Sequence, residues 1–215
     1  MAAKILSTAK NKQGDIIECG AYKGASTANL SLIAKITNRT LEVFDSFQGL
    51  PETANIDKKH MLIDNHQIHT YQKGTWYGSL NEVKKNIKKY GAIDSVNFNS
   101  GFFEKTLSNF SQPVIFIFLD VDLKSSLETC LKYLWPNLKS GSYLFCHESQ
   151  HMEIASTFFD KDWWQKNLKS NPPCLIGAGN GLGLFPKPGG FGSPLGYTIK
   201  NPNLKRFKIE KQTGT

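Results

Sequence analysis

Four apolar runs in this chain each end in an acid: Ile16-Ile17-Glu18, Leu41 to Asp45, Val114 to Asp120 and Tyr143 to Glu148. Strands of a parallel sheet are covered on both faces, so they read as continuous hydrophobic segments and not as alternating ones. Ligands of such sheets bind beyond the carboxyl ends of the strands. Acids stationed there predict a polar ligand, a metal, or both.

The segments between the runs carry helical signals, and alternation of strand and helix means an α/β fold with a mostly parallel sheet. Asp15 to Glu18 leads through a Gly-containing turn into a helix from about Ser26 to Ile36, whose apolar face is Leu30, Ile33, Ala34 and Ile36. Leu80 to Tyr90 reads as a lysine-rich amphipathic helix closed by Gly91, followed by a strand over Ser95 to Phe98. Pro113 introduces the most hydrophobic strand, a helix is expected from about Ser125 to Leu138, and Ser142 to Cys146 is the next strand. After Glu148 an aromatic-rich helix is expected to about Leu168, with a Gly- and Pro-rich remainder. The polar stretch between Asp45 and Gly78 holds Pro51, three histidines and Trp76. A loop of that length in a small domain is usually functional, so it is a candidate cover for a ligand. At 215 residues the chain suits one domain over 1–215, with a core over 14–148 and a distinct C-terminal part over 149–215.

Composition narrows the partners. A formal charge of +8 raises nucleic acid or an anionic membrane as candidates, but the excess is almost all lysine. Arg39 and Arg206 are the only arginines, so bidentate reading of phosphate or guanine is poorly supplied. Pairs such as Lys84-Lys85 and Lys88-Lys89, and Lys205, Lys208 and Lys211 near the C-terminus, read as a solubilising surface. Neither a nucleic acid nor a membrane is the expected partner; a small molecule is, and a homo-oligomer is compatible with the composition. Cys19, Cys130, Cys146 and Cys174 show no Cys-x-x-Cys spacing and read as free thiols. Residues 1–14 do not resemble a signal peptide, and no stretch approaches a membrane span, so a cytoplasmic protein is expected.

Gly20-Ala21-Tyr22-Lys23-Gly24, between a strand and a helix, lets backbone approach a ligand while the helix amino terminus presents free N–H groups. It lacks the dinucleotide Gly-x-Gly-x-x-Gly spacing and the P-loop lysine, and a plain tight turn is the bland alternative. Glu18 tilts the balance, because a carboxylate there can accept from an ammonium or from ribose hydroxyls. Asp45 stands where nucleoside-binding α/β folds place a ribose acid, though it could equally cap its own turn with Ser46. Gly177 to Gly183 also fails the dinucleotide spacing and reads as a flexible loop or hairpin before Leu184-Phe185.

These blocks resemble a known family. Glu18 to Ser26, Phe44-Asp45-Ser46-Phe47-Gln48-Gly49-Leu50-Pro51, Ser79 to Gly91, Gly101-Phe102-Phe103-Glu104-Lys105-Thr106-Leu107 and Leu119-Asp120-Val121-Asp122-Leu123 together look like the S-adenosylmethionine-dependent macrocin O-methyltransferases. More distantly, the first block and Phe118-Leu119-Asp120 are similar to catechol O-methyltransferase. The resemblance implies a Rossmann-like class I methyltransferase fold with a seven-stranded sheet. It implies that Glu18, Gly20, Tyr22, Gly24 and Ser26 hold the methionine part of S-adenosylmethionine, that Asp45 with Ser46 serves the ribose, and that Ser100, Gly101 and Phe102 lie by the adenine. It further implies a divalent cation, normally Mg²⁺, on Asp120, His147 and Glu148. Relatives usually carry Asp-Asp-Tyr where this chain has His147-Glu148-Ser149, and Tyr-Glu where it has Lys124-Ser125. A histidine beside a carboxylate is a softer donor set, which brings Mn²⁺, Fe²⁺ or Zn²⁺ into range. Relatives also have an amino-terminal segment, used as a lid or contact surface, that this chain is expected to lack.

The implied chemistry is O-methylation of a hydroxyl on a sugar or other small molecule, with Asp120, Asp122 and His147 as catalytic residues and Asp122 or Lys124 assisting deprotonation. The alternative is a binding protein that keeps the nucleoside pocket without metal-dependent transfer. A third reading takes His147-Glu148-Ser149-Gln150-His151 as the zinc-hydrolase pattern His-Glu-x-x-His, which requires a helix; here it follows a strand. Under methyl transfer, His151→Ala is expected to matter little and Asp120→Ala greatly. His66 and His69 read as solvated loop residues, and Phe158-Phe159 and Trp163-Trp164 as packing for the last helix.

Overall fold

A computed structural model describes residues 1–57, 62–63, 66–67, 71–149, 151–176 and 195–201. Its main sheet has six strands among these residues: β1 (Asp15–Cys19), β2 (Leu41–Asp45), β5 (Val96–Ser100), β6 (Val114–Leu119), β7 (Leu138–Cys146) and β8 (Gly196–Ile199). A two-stranded pair, β3 (Leu62–Ile63) and β4 (His66–Gln67), stands apart from it. The order is β5-β2-β1-β6-β7-β8; all neighbours are parallel except β7 and β8. Among the described residues six strands stand where seven were expected, and the antiparallel edge strand comes from beyond residue 148.

Burial explains this order. All six residues of β6 are buried, as a central strand covered on both faces requires. One face is covered by α1 (Ala2–Ala9), α2 (Ala25–Ile36) and α3 (Leu80–Tyr90), which enclose Ile5, Ile16, Leu30, Val43, Ile87 and Phe116. The other is covered by α4 (Phe103–Thr106), α5 (Lys124–Leu134), α6 (Met152–Thr157) and α7 (Lys161–Leu168) over Ile17, Phe44, Ile117, Leu131, Phe158 and Trp164. Each such fully buried side chain contributes about 1.5–3 kcal/mol relative to exposure.

Local chemistry sets several boundaries. Glu82 N–H donates to Ser79 Oγ (3.2 Å) and starts α3, and Gly91 ends it. The expected helix over Ser125 to Leu138 stops at Leu134, because Trp135, Pro136 and Asn137 turn the chain and Leu138 already pairs with Val114 in the sheet. The single helix expected up to Leu168 is two, broken where Asp160 caps α7 by accepting from Trp163 N–H (2.9 Å). Trp164 and Phe158 are core residues as expected, whereas Phe159 is exposed. Residues 2–9, read from sequence only as non-signal, form α1, whose Ile5 is fully buried. Cys19, Cys130 and Cys146 are buried free thiols; Cys174 is free and exposed.

Candidate active site

The strand register places the acids on one edge. Cys19 and Cys146 both pair with Leu119, so Gly20, Asp120 and His147 emerge side by side at the carboxyl ends of β1, β6 and β7. Asp45 pairs with Ser100 at the ends of β2 and β5. Strand order runs outward in opposite directions from β1 and β6, which makes the gap between them the switch point where such sheets bind ligands. A cavity of about 420 Å³ opens there. Of the residues expected in the site, Gly20, Tyr22, Asp45, Ser46, Gly101, Phe102, Asp120, Asp122, His147 and Glu148 line it. Glu18, Gly24, Ser26 and Ser100 do not.

At the β1 end the backbone does the shaping. Gly20, Tyr22 and Gly24 all have left-handed φ (89°, 47° and 85°), and Tyr22 adopts it without glycine's freedom. Asp45 holds this turn: one carboxylate oxygen accepts from Ala21 N–H (2.7 Å) and Tyr22 N–H (3.3 Å), the other from Phe47 N–H (2.7 Å). The turn-capping role is therefore realised through Phe47, while Ser46 accepts from Gln48 N–H and donates to the carbonyl of Gly49. Behind the turn, Glu18 is fully buried, and among the described residues neither carboxylate oxygen has a partner at hydrogen-bonding geometry. Burial raises its pKa to about 8, opposed in part by the nearby Ser26 and Thr27 hydroxyls at the start of α2. A buried acceptor left in this state fits a donor arriving from a ligand.

At the β6 and β7 ends side chains do the shaping. His147 Nδ1 lies 3.0 Å from Asp120 Oδ1 and 2.5 Å from Glu148 Oε1. One donor atom from each of Asp120, His147 and Glu148 falls within 4.8 Å of the others, a spacing one cation could span. Hydrogen bonds to Asp120 and Glu148 raise the His147 pKa to about 10, so an imidazolium sits between the two carboxylates. Burial, with Glu148 and Asp120 nearby, lifts Asp122 to about 7. His147 lies beyond the end of β7 and His151 just before α6, so the His-Glu-x-x-His residues do not share a helix face. The zinc-hydrolase geometry is absent.

The long loop does reach the cavity. Leu50, Pro51 and Trp76 line it, and Trp76 meets Tyr22 edge to face at 5.8 Å between ring centroids. Leu50 N–H donates to the carbonyl of Thr75 and Gly74 N–H to that of Leu50, which closes the loop's base. Side chains of His60, His66 and His69 lie outside the described residues, as do Gln150, Gly177 to Leu184-Phe185 and the lysines after 201. Two participants, Asp57 and Tyr71, carry no motif of their own, and a third, His151, is named by sequence only within the zinc-hydrolase pattern. Asp57, on a 3-10 turn over Asn55–Asp57, accepts from Ser125 N–H (2.8 Å) and Ser125 Oγ (2.6 Å) and so caps α5 from the loop. His151 lines the cavity with Nε2 3.5 Å from Glu148 Oε2, and Tyr71 Oη lies 3.1 Å from its Nδ1. Burial, with Asp122 and Glu148 nearby, pushes the Tyr71 pKa well up, so its hydroxyl keeps its proton. For Asp57 and Tyr71 the advance signal was an acid and a tyrosine within a long polar loop, and for His151 its place in the His-Glu-x-x-His pattern.

Residues 3–171 match the Macrocin-O-methyltransferase (TylF) family. The chain is 27% identical over 152 residues to the mycinamicin III 3''-O-methyltransferase of Micromonospora griseorubida, covering 64% of this chain and 59% of that protein. It is 28% identical over 143 residues to the demethyldecarbamoylnovobiocin O-methyltransferase of Streptomyces niveus, covering 62% and 52%. The matches thus span somewhat over half the length of these relatives. Among solved structures it is similar to the O-methyltransferase NovP (TM-score 0.68, 21% identity, 93% of this chain and 76% of that one). It is also similar to the calicheamicin methyltransferase CalS11 (TM-score 0.62, 15% identity, 92% and 76%). These likenesses identify the Rossmann-like class I methyltransferase fold.

Proposed function

We propose that this chain, which belongs to the macrocin O-methyltransferase family, transfers a methyl group from S-adenosylmethionine to a hydroxyl oxygen of a sugar or other small molecule. The observation that carries this reading is the convergence of Asp120, Asp122, His147 and Glu148 on the cavity that the Gly20 turn also lines. The relatives named for O-methylation of mycinamicin III and of demethyldecarbamoylnovobiocin support a small-molecule acceptor.

The β1 and β2 ends suit the methyl donor. The unpartnered Glu18 carboxylate under the Gly20 turn fits the donor's ammonium end, and Asp45 and Ser46 face the same cavity for its ribose. Gly101 and Phe102 supply a wall for the adenine, and Trp76 with Tyr22 limits water entry from the loop side. The methyl donor supplies an electrophilic carbon bonded to a sulfonium sulfur. Asp120, His147 and Glu148 are the residues that would hold a divalent cation, which would acidify the acceptor hydroxyl. Their two carboxylates and imidazole fit such an ion, with Mg²⁺ as the family's usual occupant and Mn²⁺, Fe²⁺ or Zn²⁺ suited to the histidine. Asp122, which lines the same cavity, would take the acceptor's proton. What the rest of the cavity contributes is orientation of oxygen, carbon and sulfur in line.

One observation favours a second reading. The His147 imidazolium already stands between Asp120 and Glu148, so an internal cation could replace the external one. That would leave a nucleoside-binding protein, or a transferase without metal dependence. Titration with S-adenosylmethionine, with and without Mg²⁺ or Mn²⁺, separates the two. Methyl transfer to a polyol or phenol that requires the ion supports metal-dependent chemistry; nucleoside binding with no ion-dependent transfer supports the second reading, and no binding of the nucleoside overturns both.

A further inference from the structure

We propose that His151 is a positioning residue for Glu148, and that Tyr71 makes this positioning depend on the long loop. The proposal rests on the metal-dependent reading above. Glu148 is buried and divides its two oxygens between two imidazoles: Oε1 toward His147 and Oε2 toward His151. A carboxylate fixed at one oxygen can present the other in a constant direction, and ligating carboxylates are commonly held this way.

The turn between them fixes the spacing. His151 N–H donates to the carbonyl of Glu148 (3.0 Å), and His151 accepts at its own carbonyl from Ile154 and Ala155 as α6 begins. Its ring is buried, so it has little freedom to swing away. Glu148 Oε2, as part of a carboxylate, can only accept, which assigns the proton to Nε2 of His151. In the neutral ring Nδ1 is then an acceptor, and the Tyr71 hydroxyl donates to it at 3.1 Å. Tyr71 therefore selects the tautomer that lets His151 hold Glu148. Tyr71 precedes Gly74 by three residues, and Gly74 is tied to Leu50 at the loop's base. Loop placement and ligand geometry are thereby linked through one relay, Tyr71 hydrogen-bonded to His151 and His151 Nε2 3.5 Å from Glu148 Oε2. This gives His151 a role that the sequence reading withheld.

The test is binding of Mn²⁺ alone to the full chain, followed by the electron paramagnetic resonance of the free ion, with no methyl donor or acceptor present. Asp120→Ala should lose binding. His151→Phe, similar in bulk but without a donor, should weaken it about 10- to 100-fold. His151→Gln, whose amide nitrogen can stand near the Nε2 position, should recover most of that loss, and Tyr71→Phe should cost a smaller factor. Thermal melts identify variants that fail to fold; should His151→Phe be one, Tyr71→Phe against His151→Gln carries the decision. Wild-type affinity in folded His151→Phe or, in that fallback, in Tyr71→Phe overturns the inference while leaving the metal reading intact. No Mn²⁺ binding by the wild-type chain overturns the metal reading and this inference with it.

Discussion

The two ends of the cavity are built by opposite means. Around β1 and β2, backbone conformations and N–H groups converge on a single acid, Asp45, with three left-handed residues in five positions. Around β6 and β7, side chains grip one another: Asp120, His147, Glu148, His151 and Tyr71 form one connected set. Backbone-made sites tolerate few residues and leave a readable motif. Side chain-made sites can change their members while keeping their geometry, so a cluster such as Asp120, His147 and Glu148 need follow no fixed motif.

The largest test of this contrast lies at the side chain-made end. Asp120→Ala removes a carboxylate from the cluster without touching a turn, so the proposed transfer should fall about a thousandfold or more, some 4 kcal/mol at ~1.4 kcal/mol per tenfold, with little change in folding. Steady-state rates beside a thermal melt check it. A variant that melts early would show that the cluster holds the fold and not the chemistry.

Gly20→Ala strikes the other end and should show the reverse balance. The added Cβ would overlap the carbonyl oxygen of Asp120, at a φ of 89° that alanine disfavours. A loss of about 3 kcal/mol is expected, which lowers the melting temperature by roughly 10 °C in a chain of this size. A variant that melts normally but fails to bind the nucleoside would assign Gly20 to ligand approach alone.

The same contrast explains what could be read in advance. The strand ends, the Gly20 turn and Asp45 were legible because parallel strands are continuous apolar runs and left-handed turns demand glycine. Asp120, His147 and Glu148 were legible as strand-end polar residues; register sets Asp120 beside His147, and Glu148 joins them through its contact with His147. The fate of Glu18 was less clear: nearness to Gly20 suggested a lining residue, but its carboxyl is fully buried and does not line the cavity. The contacts of Asp57 with Ser125 and of Tyr71 with His151 were not legible, since the partners lie 68 and 80 positions apart and nothing periodic announces them. The overlong helix beyond Leu134 arose because Leu138 belongs to the sheet through pairing with Val114, a tertiary fact.

Glu18 gives a pH test of the backbone-made end. Its folded pKa, about 8, exceeds its ordinary value, so the folded protein holds a proton that the unfolded chain has released. Stability from this group is full below about pH 4.5 and is lost as pH rises toward 8. Glu18→Gln removes the titration. Its melting temperature in the absence of nucleoside should exceed that of the wild type at pH 8 and converge with it near pH 4. Parallel profiles would mean that the carboxylate finds donors in solution and is not held in reserve.

Asp57 offers the smallest effect and the sharpest test of where the side chain-made end stops. Helix α5 begins two residues after Asp122 and has no cap of its own, because Leu123 occupies the N-cap position. Asp57 supplies that cap across 68 positions and also accepts from Ala54 N–H (2.9 Å), so one carboxylate shapes its own turn and docks the loop. Replacing a capping acid typically costs about 1 kcal/mol, or a melting shift of roughly 2–4 °C for a chain of this length. Asp57→Ala should show that shift, with faster amide exchange at Ser125 and at Ala54, while Asp57→Asn keeps an acceptor oxygen and about half of the stability. Exchange that rises at Ser125 alone would place the loop outside the cluster and confine the side chain-made end to the strand termini. Exchange that rises at both, and extends to Trp76, would make the loop part of it.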